Sequence, residues 1–331
     1  MTDIHNHIAV LLLFFVVHLI LGAALMSRTG RHQWLWSFMD SAAVEMGRRL
    51  NRGGRSDSDR IVRGTVVFVL MMLFAFGIGY AWEWAGVRGG MGWALDLLLL
   101  SGAMGIMTPV AVMRSVGRRL GDHKIDRARD VAAAHVREDL SKADEHAVAR
   151  KTIEYGIESL CITLVGPAVG YVLFGATGVF VYVAVLAQQR AFGHVLSSHI
   201  HFGAAARAAE RVINFVPAVL TAGLIALGAV VVPRGKPVMA ASLPLQQAGR
   251  DDSFNRGIVM AAAAGGLGLT LGGPRRWPDG QVSKADWMGT GRETARTDVA
   301  ALKRAGMMVF VAFLVLILAF SGVFMMRAQF S

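Results

Sequence analysis

Residues 251–274 read DDSFNRGIVMAAAAGGLGLTLGGP, and the reading of this stretch decides the fold. A polar opening leads into seventeen uncharged residues, 257–273, of which six are glycine. If Gly266 and Gly268 opened a dinucleotide fingerprint, the chain would be an α/β nucleotide-binding protein. That fingerprint needs a third glycine three positions on, between a strand and a helix. The position holds Leu271, and the MAAAA that precedes the glycines makes a poor strand. A phosphate-binding P-loop needs Gly-Lys-Ser/Thr, and none follows. Both nucleotide readings fall. As a plain helix, seventeen residues reach about 26 Å against a hydrocarbon core of ~30 Å. Each glycine costs a helix roughly 1 kcal/mol relative to alanine, but in membrane helices it permits close backbone approach. The stretch therefore reads as a close-packed or re-entrant helix. Its entrance is polar (Asp251, Asp252, Ser253, Asn255), with Ser253 and Asn255 turned toward a site.

The rest of the chain supports a membrane protein. Of 331 residues 54% are hydrophobic and only 17% charged, against ~25% charged in a soluble domain. The mean hydropathy of +0.48 comes from long apolar blocks rather than from an even spread. The formal net charge is +11. No basic run is interleaved with exposed aromatics, so the charge reads as Lys and Arg collected in cytoplasmic loops, not as a nucleic-acid surface. The single cysteine, Cys161, excludes an intrachain disulfide and a zinc site of several thiolates.

Six apolar runs are expected to cross the bilayer: 8–26, 64–84, 93–113, 160–187, 212–232 and 307–326. The first has no small-residue cleavage site after it and reads as a retained anchor. His18 interrupts it, either as a functional group or as one facing other helices. Asp96 lies near the outer end of the third run, where an unpaired carboxylate reaches water. The run 160–187 is too long for one upright span and too short for two. Gly166-Pro167 and Gly170 therefore predict a broken or tilted helix. No strand pattern is visible. Residues 27–62 carry seven arginines, Arg28, Arg31, Arg48, Arg49, Arg52, Arg55 and Arg60, in a loop expected on the cytoplasmic side. Residues 114–159 are the most soluble-looking. Val136, Leu140, Ala143 and Ala147 recur at helical spacing there, and ten Lys/Arg lie between Arg114 and Lys151. This predicts a cytoplasmic amphipathic helix or helix pair. The expected organisation is 1–113 (three spans), 114–159 (amphipathic segment), 160–305 (membrane core) and 306–331 (last span), in an all-α polytopic transmembrane bundle.

Two polar constellations stand at membrane entries. Arg150, Glu154 and Glu158 share one helix face at i, i+4, i+8. They make either a surface ion stack or a carboxylate pair that can hold Mg²⁺ or a cationic substrate. Arg207, Glu210, Arg211 and Asn214 precede Pro217, with His194, His199 and His201 nearby. The histidine spacing matches no common zinc motif.

Three segments occur together in order: RKTIEYGIESLCITLVGP (150–167), HFGAAARAAERVINFVPAVLTAGLIALG (201–228) and the opening stretch. Together they resemble the CobD/CbiB family of membrane proteins in cobalamin biosynthesis, over roughly residues 100–300. The resemblance implies an ATP-dependent, Mg²⁺-requiring amide ligation. An aminopropanol or ethanolamine phosphate is joined to a carboxylate of adenosylcobyric acid in the cell inner membrane. It implies Glu154 and Glu158 as catalytic carboxylates, and Arg207, Glu210, Asn214, Ser253 and Asn255 as substrate-binding groups. Mg²⁺ and ATP are implied cofactors, and membrane lipid and a corrinoid substrate are implied partners. The chain departs from the family pattern at several places. Ser159 and Ile162 replace an amide and an acid, Gln189 an acid, and Arg211 an Asp, while Val219 replaces an arginine. Phe254 and Arg256 fall within the family's Ser-Pro-Asn-Ala-Gly. A divergent, non-catalytic scaffold or subunit of a larger membrane complex is therefore the alternative expectation.

Overall fold

The computed structural model describes residues 4–25, 33–51, 56–105, 107–193, 200–278, 280–291 and 295–330. Thirteen α-helices carry the chain: α1 (Ile4–Leu25), α2 (Trp34–Leu50), α3 (Asp57–Gly89), α4 (Gly92–Ala103), α5 (Thr108–Gly121), α6 (Ile125–Ala133), α7 (Glu145–Leu160), α8 (Gly166–Phe192), α9 (Ala204–Ile213), α10 (Phe215–Val231), α11 (Pro237–Gln247), α12 (Phe254–Leu267) and α13 (Val299–Phe330). The protein is all-α and polytopic. Among the described residues, four helical runs are long and apolar enough to cross a membrane: 57–89, 92–121, 145–192 and 299–327. A fifth counts if α9 and α10, a bent pair, form one span, and α1 adds a shorter apolar stretch, Asn6–Ile20. Large apolar side chains along α3 face outward, Leu73 at 64% and Phe76 at 57% exposure. In water such a surface would drive association; against lipid it is the matched face.

The chain divides into two compact units, each discontinuous along the sequence: 1–105 with 162–215 and 319–331, and 106–161 with 216–318. In the first unit α3 and α2 pack on α8. Helix α8 is broken as expected, but at Phe174 and Gly175, where Gly175 turns to φ 61°, rather than at Gly166 or Gly170. The amide of Thr177, beyond the break, is accepted by Glu83 Oε1 at 3.0 Å. Pro167 is accommodated in a different way. It opens α8 after a π-helical turn (Cys161–Val165), and the Thr163 carbonyl that its missing N–H leaves free accepts from Gly105 N at 3.3 Å. Asp96 is not the unpaired carboxylate expected: it accepts from Tyr171 Oη at 2.7 Å.

In the second unit the amphipathic pair forms, with different bounds. Helices α6 and α7 flank an irregular connection that contains Val136, Leu140 and Ala143. Helical spacing alone misled there. Asp139 accepts from Ser141 N at 2.9 Å in a turn, and Asp144 caps α7 by accepting from Ala147 N at 2.7 Å. Both are the local bonds by which Asp competes with helix. The expected lack of strands also needs correction. β1 (Leu271–Gly272) pairs with β4 (Trp287–Met288), and β2 (Arg275–Arg276) with β3 (Val282–Ser283), both antiparallel. Each strand is only two residues long, which is why no alternation was visible.

The deciding stretch is one helix and a loop. Fourteen residues of α12 span about 21 Å, short of a bilayer core of ~30 Å. Every residue from Gly257 to Leu267 is buried. A Cβ on Gly257 would stand 1.9 Å from the Ala248 carbonyl oxygen, so this glycine is what allows the close approach. Gly268 ends the helix in the left-handed region, φ 62°, as a C-cap.

Candidate functional site

The second unit holds a buried charge network built from three places in the sequence. Helix α7 supplies Lys151, Glu154 and Glu158. The segment that enters α12 supplies Asp251 and Arg256. The connection between α6 and α7 supplies Glu138, and β2 supplies Arg275. Glu154 is 2% exposed and fully bonded. Its Oε1 accepts from Gly272 N at 2.8 Å, and its Oε2 from Lys151 Nζ at 3.0 Å and from Arg256 Nη2 at 3.3 Å. The Gly-rich tail of the deciding stretch thus lays a backbone amide on a carboxylate. Arg256 Nε donates to Glu158 Oε2 at 3.0 Å, and its Nη1 donates to Asp251 Oδ2, which also accepts from Arg275. Lys151 bridges to Glu138 Oε2 at 3.0 Å.

Sequence spacing placed Arg150 on the face of the two glutamates. Instead Arg150 donates to Ala295 O at 2.9 Å and lies over the Trp287 ring at 4.9 Å. Lys151, one position on, is the helical partner of Glu154. Burial opposes ionisation of Asp251, but Arg256 and Arg275 outweigh it and hold the carboxyl below its ordinary value. Burial likewise works against the charge of Arg256, yet Asp251, Glu158 and Glu154 together push its pKa well up. Glu138 goes the other way: burial raises it, and Lys151 compensates only in part.

Ser253 caps α12, its Oγ accepting from Arg256 N at 3.3 Å, and Asn255 is fully buried on the next turn. Arg207, Glu210 and Asn214 lie in the first unit, on and just after α9. Asn214 Nδ2 donates to Glu210 Oε1 at 3.1 Å, and Asn214 Oδ1 accepts from Tyr182 Oη at 2.8 Å. All three of these residues are buried. Arg207 donates to the Ile200 carbonyl. His194 and His199 lie outside the described residues. The sequence reading missed Lys151, Glu138, Arg275 and Tyr182 as members of these clusters. Only the i, i+3 spacing of Lys151 and Glu154 was available as a signal.

The implied Mg²⁺ does not fit these residues. A hard divalent cation needs several free carboxylate oxygens. The oxygens of Glu154, Glu158 and Asp251 that converge in this network are directed at guanidinium, ammonium and amide donors. Among the described residues no group of three His, Cys, Asp or Glu is arranged to hold a metal ion.

An all-helical, multi-pass membrane protein with buried acid–base clusters at its helix ends is the class that fold and site define. The CobD/Cbib protein family matches residues 19–309, and the chain belongs to that family. It is similar to the cobalamin biosynthesis protein CobD of Sinorhizobium sp, 29% identical over 81% of this chain and 86% of that one. It is also similar to the protein of that name from Rhizobium meliloti (strain 1021), 28% identical over 87% and 89% of the two chains. With that from Stutzerimonas stutzeri (strain A1501) it shares 33% identity over 56% and 59%. No solved structure is significantly similar.

Proposed function

We propose that the chain acts in cobalamin biosynthesis as a multi-pass protein of the cell inner membrane. The observation that carries this reading is the family match across residues 19–309, alongside relatives named for that biosynthesis. In its finer form the chain performs the ATP-dependent ligation of an amino-alcohol phosphate to adenosylcobyric acid. Formation of the amide requires the incoming ammonium to give up a proton before its nitrogen attacks an activated carboxyl. Glu158, at 38% side-chain exposure, is the carboxylate of the pair that a ligand can reach. Glu154 then serves to orient Arg256. Arg207, Glu210, Asn214, Ser253 and Asn255 are the proposed substrate-binding groups. No step is assigned to a metal held by these carboxylates.

A second reading is favoured by one observation. Both oxygens of Glu154 are occupied by donors of the chain itself, as in a structural network. On this reading the protein is a non-catalytic scaffold or subunit of a membrane complex. Complementation separates the two. In a strain blocked at the ligation step, the wild-type chain is expected to restore adenosylcobinamide phosphate. Glu158→Gln, at equal membrane abundance, should lower its formation about 10²-fold or more. No product from the wild type would overturn the ligase reading, and full product from Glu158→Gln would remove that residue from the chemistry.

A further inference from the structure

Arg256 stands where three carboxylates meet. Its three guanidinium nitrogens each take one acid: Nε to Glu158 at 3.0 Å, Nη2 to Glu154 at 3.3 Å, and Nη1 to Asp251. Its side chain is 12% exposed. Two of the acids come from one helix and the third from the loop before another. Oxygens converging on one point from a helix and a loop form the arrangement that a hard divalent cation takes. Here that point is filled by a side chain. The guanidinium suits it: it is planar, permanently charged and carries donors on all three nitrogens. Without it, Glu138, Glu154, Glu158 and Asp251 would face only Lys151 and Arg275. Four acids against two bases leaves two uncompensated negative charges, the charge of one divalent ion.

We infer that Arg256 is a tethered cation occupying the place of a divalent metal ion, so that this acid cluster keeps its geometry with no metal bound. The inference goes beyond the ligation reading and holds for a scaffold equally. It also makes Arg256 a positioning residue, which acts through the three carboxylates that it fixes.

Mn²⁺ is the probe, titrated by electron paramagnetic resonance into the full-length chain in detergent. The wild type is expected to show no saturable site below roughly millimolar Mn²⁺, the weak end of protein sites for hard cations. Arg256→Ala should take up one Mn²⁺ per chain at least tenfold more tightly. Adding Glu158→Gln to that variant should abolish the gain. If Arg256→Ala folds and binds no Mn²⁺, the inference is wrong. If that variant does not fold, wild type and Glu158→Gln decide. Glu158 is partly exposed and its neutralisation is tolerable, so a saturable wild-type Mn²⁺ site lost in Glu158→Gln overturns the inference. Indistinguishable titrations support it. Metal uptake is read independently of product formation, so this result and the complementation result can fail separately.

Discussion

Gly257 shows how much one residue decides in this chain. It sits in the first turn of α12, where the helix crosses the 3₁₀ turn Ala248–Arg250 at backbone contact. The next residue toward the N-terminus is Arg256, so a shift of this turn would also move the guanidinium. Gly257→Ala is expected to destabilise the protein by about 1–3 kcal/mol, the usual cost of overpacking against atoms that cannot rotate away. The drop would be read as a lowered thermal midpoint in detergent. An unchanged midpoint would mean that the helix can retreat from Ala248. The glycine content pointed to close packing from composition alone, and at Gly257 that is what occurs. Which neighbour is approached was not legible, because Ala248 carries no signal of contact. Arg256 illustrates the opposite case. Its presence was obvious as a departure from the family pattern, but a charge at a helix entrance says nothing about its partners. Those partners stand about a hundred residues away in the chain.

Among the elements, the short segment from the 3₁₀ turn into α12 carries the clearest consequence for pH. Asp251 has a carboxyl held below its ordinary value by Arg256 and Arg275. A carboxylate lowered on folding contributes stability that is fully present above its unfolded pKa of about 3.9 and is lost as pH falls through the folded value. Asp251→Asn is therefore expected to remove part of the stability at pH 7 and to flatten the loss of stability below about pH 4. Chemical denaturation at pH 3 and pH 7 would measure both. An unaltered acid slope in the variant would show that Asp251 is not the group responsible. Glu138 works in the reverse sense, since its raised carboxyl favours the protonated form in the fold. The wild-type acid transition is the difference between the two. The same segment explains a misreading of periodicity. A helical pattern across 136–147 met two local Asp bonds that stop helices, at Asp139 and Asp144. Side-chain competition for the backbone outweighed the apolar spacing.

For the whole molecule, the outward apolar face of α3 is the feature that makes the chain a membrane protein rather than a large soluble one. Leu73 is exposed and lies midway along this 33-residue helix. Leu73→Lys should cost about 2.5–3.5 kcal/mol of insertion, and protease protection of membrane-bound chain should fall accordingly. Met71, two positions away and fully buried, is packed against protein instead. Insertion of Leu73→Lys at wild-type efficiency would contradict a lipid-facing α3. The sequence by itself determined the helical class, the principal spans and the family, because these depend on apolar run length and on the order of a few motifs. Both are local, additive properties that survive being read along a line. It also indicated a break within the helix that follows Glu158, since an apolar run of that length must bend. Only the tertiary structure decided where the break falls, that Asp96 is paired, and which cations neutralise Glu154 and Glu158. Those outcomes depend on what burial brings together. A buried carboxylate must find donors, and the donors that reach Glu154 are Lys151 on its own helix, Arg256, and a glycine amide from a loop more than a hundred residues on.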